Sequence, residues 1–89
     1  MEETTRQQQG QQMIDYVLRE VIRRPGVEIS EDTALVSSGL IDSLALVNIL
    51  QTLEDVTRLR IPAGKVQPKD MDTVALMFVT AQRVGKPRK

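Results

Sequence analysis

The chain has 89 residues, twelve of them basic and twelve acidic, with no histidine and no cysteine. A domain this small buries only about 60% of the surface of its unfolded chain, so it has no room for a deep catalytic cavity. The missing residue types exclude disulfides, thiolate nucleophiles, the usual neutral-pH base and the ordinary zinc ligands.

Residues 1–11 are polar, with Gln7-Gln8-Gln9-Gly10-Gln11-Gln12 running on without an apolar stripe, and are expected to be a flexible lead-in, helical only toward its end. Residues 12–84 read as one domain and 85–89 as a basic flexible tail. Within the domain, Ile14, Val17, Leu18, Val21 and Ile22 recur at helical spacing between charged residues and predict an amphipathic first helix over 13–24. Pro25-Gly26 ends it, because proline has no amide donor and disfavours helical geometry in the residue before it.

The segment from Val27 to Ile41 is long for a connection in so small a domain. Ile29, Leu35 and Leu40 are suited to pin it to the core, and Ser37-Ser38 to start a short turn. Then comes Gly39-Leu40-Ile41-Asp42-Ser43-Leu44. Glycine permits a sharp reversal, Asp42 is suited to cap the helix that follows, and Ser43 falls in its first turn with its hydroxyl toward water. On these residues alone, Ser43 is explained more simply as a serine that satisfies a helix-end amide than as a site of attachment.

A second helix is predicted from Ser43 to about Thr57, with Leu46, Ile49, Leu50, Leu53 and Val56 as its buried stripe. Leu44, Val47, Asn48 and Gln51 lie on another face beside Ser43, with Glu54 further along. Spacing does not decide whether Leu44 and Val47 broaden the core stripe or form a docking surface. Glu54 and Asp55 are explained most simply as solvated surface.

Ile61-Pro62-Ala63-Gly64 ends this helix, and 65–69 has room for one short helical turn. Asp70, Asp72 and Thr73 are starters for a last helix with Val74, Met77, Phe78 and Ala81 facing inward. The fold expected is therefore all-α: three main helices and one short one, with a long loop between the first two. Gly64-Lys65 lacks the other residues of a phosphate loop, and Asp70-x-Asp72 lacks the glycine and glutamate of a calcium loop, so no metal site is assigned.

Charge is segregated along the chain. From Pro25 to Thr57 there is no Lys or Arg, whereas Glu28, Glu31, Asp32, Asp42, Glu54 and Asp55 supply six negative charges; Arg83, Lys86, Arg88 and Lys89 gather at the end. Nucleic acid is excluded as a partner of the Ser43 region, and a basic protein surface is favoured. No apolar run approaches the roughly 20 residues of a membrane span. The protein is expected to be soluble, cytoplasmic and monomeric, with no membrane partner.

From Asp42 to Pro62 the sequence DSLALVNILQTLEDVTRLRIP resembles the second helix of acyl carrier proteins and the related peptidyl carrier domains, and Glu31-Asp32-Thr33-Ala34-Leu35 with Gly39-Leu40 is similar to their approach to it. The resemblance covers residues 12–84 and implies a carrier of the free-standing type. It implies 4′-phosphopantetheine on Ser43, acyl, aminoacyl or polyketide cargo held as thioesters, and no catalysis by the chain itself. The partners implied are a phosphopantetheinyl transferase, a loading ligase or acyltransferase, and downstream synthase or transferase enzymes, meeting Leu44, Val47, Asn48, Gln51 and Glu54. It gives Asp42, besides its cap, a transient part in transferase recognition around magnesium. The chain departs from fatty-acid carriers at Ala45 and Asn48, where those have acids, and so is closer to carriers of amino acids or specialised polyketide units.

Two other classes compete. An unmodified helical adaptor with a carrier-like fold is the alternative, although such a protein would be expected to lose the serine. A hydrolase using Ser43 is disfavoured, because no base or orienting residue accompanies it.

Overall fold

The computed structural model describes residues 5–87. The first four residues of the expected lead-in, and Arg88 and Lys89 of the expected tail, lie outside that span. Helix α1, Arg6–Tyr16, starts well inside the segment that sequence assigned to a flexible lead-in. Its start is a capping box: the Gln8 amide donates to Thr5 Oγ1 at 3.1 Å and the Thr5 amide donates to Gln8 Oε1 at 3.0 Å. Arginine and glutamine are good helix formers once nucleated. Farther in, the Arg6 guanidinium lies 3.8 Å from the centroid of the Phe78 ring and pairs with Glu31 at 2.6 Å. Tertiary contacts thus hold a turn that has no apolar stripe of its own.

The helix continues with wider π spacing over Val17–Ile22. Met13 and Val17 are fully buried and Ile22 nearly so, while Ile14, Leu18 and Val21 pack half-buried beside them. The step of five from Val17 to Ile22 suits the i→i+5 repeat of a π-helix, which brings Ile22 inward where α-spacing would place Val21. Arg23, at φ 58°, stops it, with its amide donating to Leu18 O.

Helix α2 is Leu46–Thr57 and is preceded by a 3₁₀ turn, Ser43–Ala45. Ile49 and Leu53 are completely buried, and Leu46, Leu50 and Val56 pack around them, as the spacing predicts. Arg58 at φ 60° closes the helix. Two-residue strands follow at the two ends of the C-terminal half: β1, Leu59–Arg60, pairs antiparallel with β2, Lys86–Pro87, matching Leu59 with Pro87. The start of the expected free tail is therefore tied down, because Gly85 lets the chain pass close to the Ala81 carbonyl and Leu59, where a Cβ would collide.

Short 3₁₀ turns, Ala63–Lys65 and Pro68–Met71, bridge to α3, Val74–Val84, which Thr73 caps by accepting from the Leu76 amide at 3.0 Å. Val74, Met77, Phe78 and Ala81 are buried. Thr80, the one buried polar residue among the described residues, donates its hydroxyl to Asp70 O at 3.1 Å, so its burial leaves no lone donor. The three helices pack pairwise around an almost wholly aliphatic core. This is an all-α, acyl-carrier-like bundle with the long loop across it. Among the described residues no helix is long and apolar enough to cross a membrane.

Candidate functional site

The long loop reaches α2 through a chain of hydrogen bonds. Leu35 is completely buried and Ile41 nearly so, and the Ile41 amide donates to Leu35 O at 3.1 Å, closing the residues between them into a small loop. Inside it the Gly39 amide donates to Val36 O at 3.1 Å and Gly39 takes φ 82°. Nothing lies within 4 Å of where its Cβ would be, so glycine is needed there for its backbone and not for space.

Asp42 follows the Ile41 plug. Its Oδ1 accepts from the Ala45 amide at 3.0 Å, which is the cap expected from sequence. Ser43 opens the 3₁₀ turn and is exposed. The chain has four serines, and the other three use their hydroxyls internally. Ser30 Oγ accepts from the Asp32 amide, Ser37 Oγ donates to Asp72 Oδ2, and Ser38 Oγ donates to Ala34 O at 2.6 Å. Among the described residues Ser43 Oγ has no hydrogen-bond partner.

Leu44 is 83% exposed and Val47 64% exposed, so neither belongs to the core. Asn48 and Gln51 are exposed on the same helix. Glu54, expected along that face, is instead half-buried, and its Oε2 accepts from the Ile61 amide at 2.7 Å. That carboxylate secures the turn after α2, a role that helical spacing does not reveal because its partner lies beyond the helix.

Two recesses flank Ser43. On one side an apolar cleft of about 190 Å³ starts at Ser43 and runs past Leu46, Val47 and Leu50 to Val66 and Met71. On the other, a polar recess of about 260 Å³ lies between the π-helical turn and the start of α2, lined by Tyr16, Glu20, Arg23, Asp42 and Asn48.

Of the starters the sequence offers for the last helix, Asp70, Asp72 and Thr73, the structure uses Thr73 as the cap and turns Asp72 back to the loop. Its Oδ1 accepts from the amides of Leu35, Val36 and Ser37 at 3.1, 2.8 and 2.9 Å, and its Oδ2 from Ser37 Oγ at 2.8 Å. These bonds favour the carboxylate. The Ser37 amide and then its hydroxyl, helped by Val36 and Leu35, hold Asp72 below the ordinary aspartate range, against an opposing effect of burial.

A helical bundle that presents one unpartnered serine at a helix entrance beside an apolar cleft has the form of a carrier domain. A family model described as the phosphopantetheine attachment site matches residues 14–74, and the chain belongs to that family. Its members bind 4′-phosphopantetheine covalently on a serine and are non-catalytic carriers. No curated protein and no solved structure compared with the chain matches it.

Proposed function

We propose that Ser43 is the serine that takes 4′-phosphopantetheine, and that the protein presents acyl, aminoacyl or polyketide intermediates to separate biosynthetic enzymes. The observation that carries this reading is the state of the four hydroxyls: only Ser43 is both exposed and without an internal partner. A transferase reaches it without breaking a native hydrogen bond.

The residues around it fit the group. A phosphodiester at the first turn sits near the amide end of a helix, where negative charge is tolerated. The apolar cleft beginning at Ser43 offers Leu46, Leu50, Val66 and Met71 to the hydrocarbon part of an arm or its cargo. When bound, the group supplies a terminal thiol for thioester carriage, in a chain with no sulfur nucleophile of its own. Ser43 has no neighbouring base, so its activation belongs to the transferase. Asp42 keeps the helix entrance in place and contributes to transferase recognition.

Leu44 and Val47, with Asn48 and Gln51, form the face offered to the transferase, to a loading ligase or acyltransferase, and to downstream enzymes. Two isolated apolar side chains ringed by polar ones suit brief contacts with successive partners rather than a permanent complex. Ala45 and Asn48, standing where fatty-acid carriers have acids, favour amino-acid or specialised polyketide cargo. Modification draws on coenzyme A, which suits a working protein in the cytoplasm.

The test is intact-protein mass spectrometry after incubation with coenzyme A, magnesium and a broad-specificity phosphopantetheinyl transferase. Wild type is expected to gain one phosphopantetheinyl group and Ser43→Ala none. A gain that survives in Ser43→Ala moves the site to another residue. No gain in folded wild type, with a known carrier modified alongside, supports the unmodified adaptor.

A further inference from the structure

We infer that Asp72 is a positioning residue for the modification of Ser43, acting at a distance by fixing the loop that delivers Asp42 and Ser43 to the start of α2. The inference rests on the assignment of Ser43 above.

Asp72 lies just beyond the 3₁₀ turn Pro68–Met71, ahead of α3, and is far from Ser43 in sequence. Its backbone and side chain both engage the loop. The Leu35 amide donates to Asp72 O at 2.7 Å, and one carboxylate oxygen gathers three successive amides. An oxygen that collects consecutive N–H groups acts as a helix cap does: it sets the direction in which the chain leaves. Here the chain leaves Ser37 into the turn at Gly39 and returns to Leu35 O through the Ile41 amide. Asp42 and Ser43 are the next two residues.

The path therefore runs from the start of α3, through three loop amides, across the Leu35–Ile41 bond, to the cap of the helix that bears the hydroxyl. The segment's other bonds are its own: Ser38 Oγ donates to Ala34 O and accepts from the Leu40 amide, and the Gly39 amide donates to Val36 O. Leu35 and Ile41 are its buried side chains, Val36 and Leu40 pack half-buried beside the core, and Ser37, Ser38 and Gly39 are exposed. Without the Asp72 carboxylate, the amides of Val36 and Ser37 lose their acceptor while the Leu35 amide keeps the Asp72 carbonyl, and the stretch between Leu35 and Ile41 is free to sample other paths. A transferase that must place one hydroxyl within bonding distance of a phosphorus is sensitive to such displacement.

The loop's other anchor is distinct. Glu31 O accepts from the Ala75 amide at 2.9 Å, and the Glu31 side chain pairs with Arg6, holding the loop farther upstream. Breaking that anchor leaves the Asp72 bonds intact.

The experiment compares wild type with Asp72→Ala, Asp72→Asn and Thr73→Ala as substrates of one broad-specificity phosphopantetheinyl transferase. It measures kcat and KM separately and determines Tm for each protein. Thr73 caps α3 next door without touching the loop, so Thr73→Ala reports what general destabilisation does. Asn keeps a carbonyl oxygen for the three amides and loses the charge.

Asp72→Ala is expected to lower kcat/KM by about tenfold or more. Asp72→Asn should recover most of that loss, and Thr73→Ala should stay within about twofold of wild type although its Tm falls. Hydrogen exchange at Val36 and Ser37 should accelerate in Asp72→Ala and not in Thr73→Ala, a readout available even where modification is slow. The inference is overturned if Asp72→Ala is modified at the wild-type rate, or if Thr73→Ala slows as much as Asp72→Ala. A wild-type protein that is not modified at Ser43 overturns the assignment of the site and this role with it. Modified wild type alongside equally modified Asp72→Ala removes the role of Asp72 alone.

Discussion

Ser43 differs from the chain's other serines in having no internal duty, and its neighbours divide the remaining work. Ile41 plugs the core, Asp42 caps, and Leu44 and Val47 face outward. Because capping and modification lie on adjacent residues, they are separable by substitution. Asp42→Ala removes the side-chain acceptor of the Ala45 amide, leaving it the Asp42 carbonyl at 3.2 Å, and should cost about 1 kcal/mol, or about 4–8 °C in Tm for a domain of this size, measured by thermal denaturation. Leu44 and Val47 are mostly exposed, so Leu44→Glu and Val47→Glu should each leave stability within about 0.5 kcal/mol of wild type. Loading by a cognate enzyme should nonetheless fall in both. If loading is unchanged while stability drops, this face belongs to the fold and not to its partners.

The helices show which signals are local. The stripe of α2 and the inward face of α3 were legible because each rests on apolar residues at regular spacing, and the Asp42 cap because its acceptor lies three residues from its donor. The first turn of α1 was missed because its stability comes from elsewhere: Arg6 reaches Phe78 and Glu31, far along the chain. One signal was present, the Thr5-x-x-Gln8 capping box, but the glutamine run masked it. The π turn was also illegible, since a step of five shows only when Val17 and Ile22 are both seen buried.

Gly10 illustrates how local and distant terms compete within α1. Alanine is the better helix former by about 1 kcal/mol, yet a Cβ at this position collides with the Glu31 carboxylate and crowds Arg6. Both are the mobile ends of long side chains, so the collision is relieved by breaking their pair. Gly10→Ala should therefore stabilise wild type by less than it stabilises the Glu31→Ala background, and chemical denaturation of the four proteins measures the difference. Equal gains in both backgrounds would show that the Arg6–Glu31 pair contributes nothing. At the end of α2 no such conflict exists. Arg58 holds φ 60°, where glycine is the unstrained choice, so Arg58→Gly should raise stability by up to about 1 kcal/mol in the same assay.

At the scale of the whole molecule, the bundle is closed by carboxylates that reach across it. Glu54 holds the turn after α2, Glu31 meets Arg6, and Asp72 ties the start of α3 to the loop before α2. A fold with so little aromatic core depends on such bridges to settle the course of its loops, and the sequence offered no spacing from which to read them. Asp72 gives this arrangement a pH signature. The Ser37 amide and hydroxyl and the neighbouring amides lower its pKa in the folded state, whereas the unfolded chain restores an ordinary value near 3.9. The unfolded state therefore binds the proton more readily. The contribution of Asp72 is fully present above about pH 4 and is lost as pH falls through its lower folded value. Asp72→Asn carries no such titration. The stability of wild type relative to Asp72→Asn should be greatest and flat from about pH 5 upward, and should shrink as the solution is taken below about pH 4, read by urea denaturation at each pH. A difference that stays constant to low pH would mean that the three amides do not distinguish the carboxylate from its protonated form. The hold on the loop would then be one of shape alone.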